Sequence, residues 1–245
     1  RFIDHARETL AASTGLTDLE FRSRWQAHED WAETWKRGLA PRRITDRLVV
    51  RPSWTEFAAG PDDLVIVLDP GMAFGTAEHG TTRGCLRLLD RAVSPGERLL
   101  DVGSGSGILS VAAVLLGADH VTAVEADQLS CEALLENVQN NGAADRVTVL
   151  IERVDAERLD ALGPVDGIVA NLETGLLRPL LGGFRTAVRS GGWLVLSGVL
   201  AEECEALRHD TERLGFDCRR VDEDGQWRSM LFAAAPVPTG QAAVR

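Results

Sequence analysis

Residues 99–109 read Leu99-Leu100-Asp101-Val102-Gly103-Ser104-Gly105-Ser106-Gly107-Ile108-Leu109, and this stretch decides the fold. An apolar strand runs into a turn with three glycines, and an apolar helix follows. Glycine tolerates positive φ angles and, since it has no Cβ, lets a ligand approach the backbone. The helix directs its free N-terminal amides at the same place. The stretch therefore predicts a strand, a ligand-binding turn and a helix in succession.

The alternation of strand and helix continues along the chain. Short apolar runs that alternate with helical segments are typical of a parallel sheet with helices on both faces. Two C-terminal strands joined by the short link Asp222–Gly225 predict an antiparallel hairpin. The predicted strands are Arg98–Val102, His120–Glu125, Val147–Ile151, Asp166–Asn171, Trp193–Ser197, Phe216–Val221 and Trp227–Ala233, and the predicted helices are Thr82–Ala92, Gly107–Leu116, Leu129–Asn140, Leu176–Arg189 and Ala201–Leu214.

The predicted fold class is α/β: a doubly wound, Rossmann-like, seven-stranded and mostly parallel sheet with a C-terminal antiparallel hairpin, plus a short N-terminal helical and linker region. Residues 1–60 are the N-terminal segment and linker. Whether they are a truncated substrate-recognition domain or a naturally short region stays open. Residues 61–235 are the main domain, and residues 236–245, rich in Pro, Gly and Ala, are predicted to be disordered.

The charge and composition of the chain indicate which classes of partner it can bind. The net charge is −11, and the acidic excess lies almost entirely beyond residue 60. Such a surface repels a phosphate backbone, so we expect a basic or neutral partner and no direct nucleic-acid binding. No apolar run approaches the roughly 20 residues that span a bilayer, and residues 1–10 lack a signal-peptide core, so we expect a cytoplasmic protein without a membrane partner. The four cysteines form no C-x-x-C pair, which argues against a metal site or a disulfide framework.

The glycine spacing points to one cofactor. Gly103, Gly105 and Gly107 give G-x-G-x-G, and Ile108 stands where a dinucleotide loop needs its last small residue. This spacing favours S-adenosylmethionine over NAD, with Asp101 to Gly107 in contact with it: Asp101, Gly103, Ser104, Gly105 and Gly107. A turn that is purely structural is the alternative.

Glu125 ends the second strand, 22 residues beyond Gly103. An acidic side chain at this place can accept hydrogen bonds from both ribose hydroxyls of a nucleotide-like ligand. We therefore predict that Glu125 and the adjacent Ala126 bind the cofactor. Asp127 is the competing carboxylate, and a solvated strand end is the simpler alternative.

Asn171 ends the fourth strand, where its amide can orient the group that is methylated. Enzymes that methylate the amino groups of bases often continue Asn-Pro-Pro-aromatic here. This chain continues Asn171-Leu172-Glu173, which disfavours a base as substrate. Asn171 as a simple turn cap is the alternative.

The segment Asp69–Thr82 is rich in glycine and small residues, which predicts a loop over a ligand. Phe74, Gly75, Thr76 and Thr82 are predicted cofactor contacts. Either Thr81 or Thr82 is predicted to cap the helix that follows. His79 is a candidate proton acceptor, with ordering of the loop as the alternative.

From about Glu29 to Ala233, the chain resembles the bacterial ribosomal protein L-eleven methyltransferases. The resemblance is carried by the segments Glu29-Asp30-Trp31, Arg51-Pro52-Ser53-Trp54, Asp69–Thr76, Asp101–Leu109, Ala170-Asn171-Leu172 and Leu196–Leu200. It implies a class I S-adenosylmethionine-dependent methyltransferase domain over residues 61–235, with cofactor contacts at Thr82, Gly103, Glu125 and Asn171.

The resemblance also implies a reaction: methylation of lysine side chains and of the N-terminal amine of a large-subunit ribosomal protein, with S-adenosylhomocysteine as product. The family pattern has glycine where Ala77 stands and Asp where Glu125 stands, and the region before Glu29 is shorter than a family recognition domain. A small-molecule N-methyltransferase and a non-catalytic S-adenosylmethionine-binding protein therefore stay open as alternatives. Asn171 and His79 are the predicted catalytic residues.

Overall fold

A computed structural model of the chain describes residues 40–69 and 77–236. These residues belong to one compact unit that begins at Ala40. The predicted N-terminal helix, most of the predicted tail, and Phe74, Gly75 and Thr76 lie outside the described residues. The division of the chain at residues 60 and 235 stays a prediction.

A small sheet precedes the main one. It contains β1 (Arg42–Arg43), β2 (Leu48–Arg51) and β3 (Leu64–Val67), with β1 antiparallel and β3 parallel to β2. The buried side chains of Leu48 and Ile66 pack into the same apolar cluster as the helices of the main sheet. Segment 40–69 is therefore packed against helices that cover one face of the main sheet.

The main sheet has seven strands in the order β6-β5-β4-β7-β8-β10-β9. All neighbouring pairs from β6 to β8 are parallel, and β8–β10 and β10–β9 are antiparallel. The predicted doubly wound sheet with its C-terminal hairpin is confirmed. The strands are β4 (Arg98–Val102), β5 (His120–Glu125), β6 (Val147–Ile151), β7 (Val165–Asn171), β8 (Val188–Leu200), β9 (Phe216–Asp224) and β10 (Trp227–Ala234).

Helices cover both faces of this sheet. They are α1 (Gly80–Ala92), α2 (Ile108–Leu115), α3 (Gln128–Asn140), α4 (Ala156–Leu162), α5 (Thr174–Leu177), α6 (Leu181–Ala187) and α7 (Ala201–Glu212). Successive residues of β4 point to opposite faces, so that Leu99 joins one apolar cluster and Leu100 the other. No helix among the described residues is long and apolar enough to cross a bilayer.

Several elements differ from the sequence predictions, among them β8, which begins at Val188 and not at Trp193. The predicted helix 176–189 is two short helices separated by a 3₁₀ turn at Arg178–Leu180, where Pro179 removes a backbone donor. Helix α4 was not predicted, because its seven residues are too few to show a clear period. The predicted link Asp222–Gly225 is shorter than expected, since β9 continues to Asp224.

The position of β4 creates the site. It pairs with β5 on one side and with β7 on the other, and the chain crosses over in opposite directions from it. In open α/β sheets a crevice forms outside the carboxyl ends of the strands at such a switch point.

Candidate functional site

A cavity of about 530 Å³ opens at the carboxyl ends of β4, β5 and β7. The structure brings together seven of the predicted site residues in its lining: Thr82, Gly103, Ser104, Gly105, Glu125, Ala126 and Asn171. Asp101, Gly107 and His79 are not among the lining residues. A volume of this size suits a small cofactor.

The glycine loop needs glycine for two reasons. Gly103, Gly105 and Gly107 have φ angles of +72°, +52° and +78°, a region that other residues rarely adopt. A Cβ on Gly103 would lie 2.5 Å from Cδ2 of Leu172, and a Cβ on Gly107 would lie 2.8 Å from Cγ of Leu134. Gly103 therefore allows Leu172 to approach the loop at the cavity, while Gly107 allows α3 to pack against the start of α2.

The loop is tied to β5 by backbone hydrogen bonds. The amides of Gly103 and Ser104 donate to the carbonyl oxygen of Val124 at 2.9 and 3.1 Å, and the Ser104 hydroxyl donates to the same oxygen at 3.0 Å. The loop conformation thus depends on its immediate neighbours along β4 and β5.

Glu125 closes this side of the cavity. Its Oε2 accepts from the Gly105 amide at 2.9 Å, and its Oε1 accepts from the amides of Ala126 and Asp127 at 2.8 and 2.9 Å. A carboxylate offers about four acceptor positions, so Oε2 retains one for a ligand. The competing carboxylate, Asp127, is the N-cap of α3 and accepts from Leu129 and Ser130.

Thr82 and Asn171 lie on another side of the cavity. Thr82 is fully buried in the first turn of α1, and its hydroxyl has no hydrogen-bond partner. Asn171 ends β7 and is partly exposed. A buried hydroxyl without a partner is unfavourable, and Thr82 is one of the residues that line the cavity.

Asp101 lies beneath the glycine loop and is fully buried. Burial raises the pKa of its carboxyl to about 7, while a hydrogen bond of 2.7 Å from the Ser110 hydroxyl to Oδ2 opposes this effect. Oδ1 has no partner. Because Asp101 does not line the cavity, the geometry favours a supporting position under the loop.

His79 stands at the start of α1. It occupies the N-cap position without a capping side-chain bond, so the prediction that Thr81 or Thr82 caps this helix was wrong. The helix begins two residues earlier than the apolar pattern suggests, because Gly80 and Thr81 are already helical. The Nδ1 atom of His79 lies 2.7 Å from the Thr81 hydroxyl, and its ring centroid lies 4.9 Å from that of Trp227.

Ion pairs between α1 and the C-terminal hairpin were missed by the sequence analysis. Arg83 binds both carboxylate oxygens of Asp224, at 2.8 and 2.6 Å. Arg87 binds both oxygens of Asp222 at 2.9 and 2.6 Å, and also contacts Asp224. The hydrogen bond from Arg83, followed by that from Arg87, lowers the pKa of Asp224 to about 2. Their spacing of four on α1 and two on β9 was the signal available in the sequence.

The remaining lining residues were also missed. Apolar side chains from the start of α4 and from the segment after β7 form part of the cavity wall: Val154, Ala156, Leu172, Leu176 and Leu180. They are ordinary apolar residues, and only their position in the fold brings them to the cavity. Among the described residues, no group of three or more His, Cys, Asp or Glu side chains is arranged to hold a metal ion.

Several proteins of known name are similar to this chain in sequence. The family model described as "Ribosomal protein L11 methyltransferase (PrmA)" matches residues 3–235. The ribosomal protein L11 methyltransferase of Pelotomaculum thermopropionicum is 41% identical over 209 residues, which are 84% of this chain and 66% of that protein. The one from Streptococcus pneumoniae serotype 4 is 35% identical over 221 residues, which are 89% of this chain and 68% of that protein.

A solved structure supports the same assignment. The crystal structure of a ribosomal protein L11 methylase from Lactobacillus delbrueckii subsp. bulgaricus superposes with a TM-score of 0.72 and 26% identity, over 80% of this chain and 98% of that one. The chain spans about two thirds of the length of the curated relatives it matches. By its sequence and its fold, the chain belongs to the ribosomal protein L11 methyltransferase family.

Proposed function

We propose that this chain is an S-adenosylmethionine-dependent methyltransferase that modifies amino groups, those of lysine side chains and of the N-terminus, on ribosomal protein L11. The observation that carries the proposal is the convergence of Thr82, the glycine loop, Glu125 and Asn171 on one cavity in a chain of this family. The names of the relatives supply the substrate.

The cavity residues fit S-adenosylmethionine. The unpartnered Thr82 hydroxyl is buried at the cavity wall and requires a polar partner there. Gly103, at a positive φ, lets Leu172 approach the loop at the cavity, and Glu125 retains an acceptor position for a ribose hydroxyl. The apolar wall formed by Val154, Ala156 and Leu180 suits a flat aromatic base.

In this reaction the protein residues bind and orient the cofactor and a neutral amine. S-adenosylmethionine, when bound, supplies a methyl group on a positively charged sulfur. The protein must present a neutral amine to that group in line, and such orientation contributes up to roughly 7–11 kcal/mol in the best cases. A lysine has a reference pKa of about 10.4, so the acceptor must lose its proton first, and an apolar surrounding favours the neutral form.

Asn171 is the residue that we assign to the acceptor amine. Its amide oxygen can accept a hydrogen bond from the amine and so orient the nitrogen lone pair. His79, which contacts Trp227 and Thr81 outside the cavity lining, orders the start of α1 in this proposal. The amine proton then passes to solvent without an essential side-chain base.

The proposal includes a basic protein surface as partner and no nucleic acid. The chain carries a net charge of −11, which favours a basic protein over a phosphate backbone. The same proposal places the reaction in the cytoplasm, where the substrate would be available.

Methyl transfer to purified L11 tests the proposal. The full chain is incubated with L11 and S-adenosylmethionine, and intact and peptide masses of L11 are measured. We expect added methyl groups on lysines and on the N-terminal amine, and none with the Asn171→Ala variant under the same conditions. A panel of small amines is assayed in parallel.

Two outcomes would contradict the proposal. Methylation of a small amine but not of L11 would make the chain a small-molecule N-methyltransferase. Saturable S-adenosylmethionine binding without transfer to any acceptor would make it a binding protein.

A further inference from the structure

Ser197 and Gly198, two consecutive residues of β8, contact the backbone of the residue before Thr82 and of the residue after Asn171. We call this pair the Ser197–Gly198 junction. Ser197 is fully buried and pairs in register with Asn171 of β7. Neither residue of the junction lines the cavity.

The junction holds the residue that follows Asn171. The Leu172 amide donates to the Ser197 carbonyl oxygen at 3.1 Å. Gly198 has a φ of +85°, and a Cβ there would lie 2.3 Å from the Leu172 carbonyl oxygen. The backbone after Asn171 therefore occupies the space that a side chain at position 198 would fill.

The junction also holds the residue before Thr82. The Ser197 hydroxyl donates to the Thr81 carbonyl oxygen at 3.1 Å, and it lies 2.7 Å from the Ser229 hydroxyl. A carbonyl cannot donate, so the single Ser197 hydrogen points to Thr81 and Ser229 must donate to Ser197. A Cβ on Gly84 would lie 2.2 Å from the Ser229 oxygen, so α1 is packed closely on this pair of hydroxyls.

We propose that the Ser197–Gly198 junction is a positioning element that holds Thr82 for the cofactor and Asn171 for the acceptor amine. The two halves of the junction act on different residues. The Ser197 hydroxyl fixes the Thr82 side, whereas the Gly198 backbone fixes the Asn171 side. The inference rests on the proposed methyl transfer, since only then do both residues serve one reaction.

The Ser197→Ala variant tests the first half. It removes the hydroxyl but keeps the backbone oxygen that binds Leu172. We expect the Kd for S-adenosylmethionine, measured by calorimetry, to rise about threefold to tenfold, because a displaced Thr82 would make a weaker hydrogen bond to the cofactor. The kcat for L11 at saturating cofactor should change by less than about twofold, because the Asn171 side keeps its contacts.

Two control variants separate positioning from loss of stability. Thr211→Val removes another fully buried hydroxyl, which donates to the Leu207 carbonyl at 2.8 Å on α7, away from the cavity lining. Ser229→Ala removes the donor to Ser197 but keeps the bond from Ser197 to Thr81. Both should leave the Kd for S-adenosylmethionine within about twofold of the wild-type value.

The Gly198→Ala variant tests the second half. The new Cβ would displace Leu172 and with it Asn171, so we expect kcat to fall at least about tenfold with a smaller change in cofactor Kd. If this variant does not fold, as judged by its unfolding transition, Ser197→Ala decides the question.

The outcomes separate this inference from the proposed function. Wild-type binding and turnover together with an unchanged Kd in Ser197→Ala would overturn the inference alone, and so would an equal rise in Thr211→Val. A wild-type chain that does not bind S-adenosylmethionine would overturn the proposed function and the inference with it.

Discussion

The two polar sides of the cavity are built in different ways. The glycine-loop side consists of residues 103–107 and Glu125, held by backbone hydrogen bonds between adjacent strand ends. The Thr82–Asn171 side joins residues from α1 and β7, held through Ser197 and the ion pair of Arg83 with Asp224. The first depends on local backbone conformation, and the second on contacts between distant parts of the chain.

Substitutions on the two sides of the cavity should therefore have different effects on binding and stability. Changes in the glycine loop alter the backbone that surrounds the cofactor, so they should abolish binding. Changes in the residues that hold α1 near Thr82 remove single contacts, so each should weaken binding or stability only partly.

Gly103→Val should abolish cofactor binding. The variant places a β-branched side chain at a φ of +72°, with its Cβ 2.5 Å from Leu172. We expect the Kd for S-adenosylmethionine to rise more than about 1000-fold, since the turn is strained and Leu172 is displaced from the cavity wall. Calorimetric titration measures it. Gly182→Ala is the matched control, because a Cβ there meets nothing within 4 Å, and it should bind like the wild type.

Asp101→Asn should change how stability depends on pH. Burial raises the Asp101 pKa to about 7 in the folded chain, whereas the unfolded value is 3.8. As the pH rises from 4 to 7, the unfolded chain releases this proton first, so the wild type loses about 3 kcal/mol of folding stability that the variant keeps. Denaturant unfolding of both proteins across this range measures the difference. Parallel curves would show that the Asp101 carboxyl is already ionised in the folded chain.

Asp224→Asn should weaken the support of α1. The Arg83 and Arg87 hydrogen bonds lower the Asp224 pKa from 3.8 to about 2, so its stabilisation is complete above pH 4 and is lost as the pH falls toward 2. We expect the variant to lose about 1–2 kcal/mol of unfolding free energy at pH 7, after allowance for partial solvent screening. The difference from wild type should shrink below pH 4.

A surface ion pair provides the comparison for Asp224. Asp217 and Arg219 are 3.3 Å apart, and both side chains are about 60% exposed. Asp217→Asn should change the unfolding free energy by less than about 0.5 kcal/mol. Equal effects of the two substitutions would remove the ion-pair network from the account of this side of the cavity.

Thr82→Val should separate stability from binding. The variant removes a buried hydroxyl without a partner while it keeps the shape of the side chain. The ligand-free protein should keep or slightly raise its Tm, whereas the Kd for S-adenosylmethionine should rise about threefold to tenfold. Thermal unfolding and calorimetry measure the two effects. A lower Tm with unchanged Kd would mean that Thr82 serves the fold and not the ligand.

The glycine-loop side could be predicted closely from the sequence. The strand that ends at Val102, the three glycines and Glu125 lie within short stretches of the chain whose periodicity and composition define their conformation. The strands β4, β5 and β6 were predicted with the bounds that the structure gives them. Their short apolar runs end at clear polar or glycine residues, so both ends were visible.

The other side could be predicted only in part. Thr82 and Asn171 were named, but the residues that hold them were not, because Ser197 and Gly198 look like ordinary strand residues. The helix cap at His79 also differed from expectation. The strand β9 is longer than predicted, and it carries Asp222 and Asp224, the carboxylates that Arg87 and Arg83 bind.

By itself, the sequence determined the doubly wound fold, the glycine turn and the residues that reach the carboxyl ends of β4, β5 and β7. These features follow from apolar periodicity and from the conformational freedom of glycine, which act over a few neighbouring residues. Only the tertiary structure decided that Ser197 would reach Thr81 and that Leu172 would lie on both Gly103 and Gly198. Such contacts depend on the packing of distant segments, which local sequence patterns do not encode.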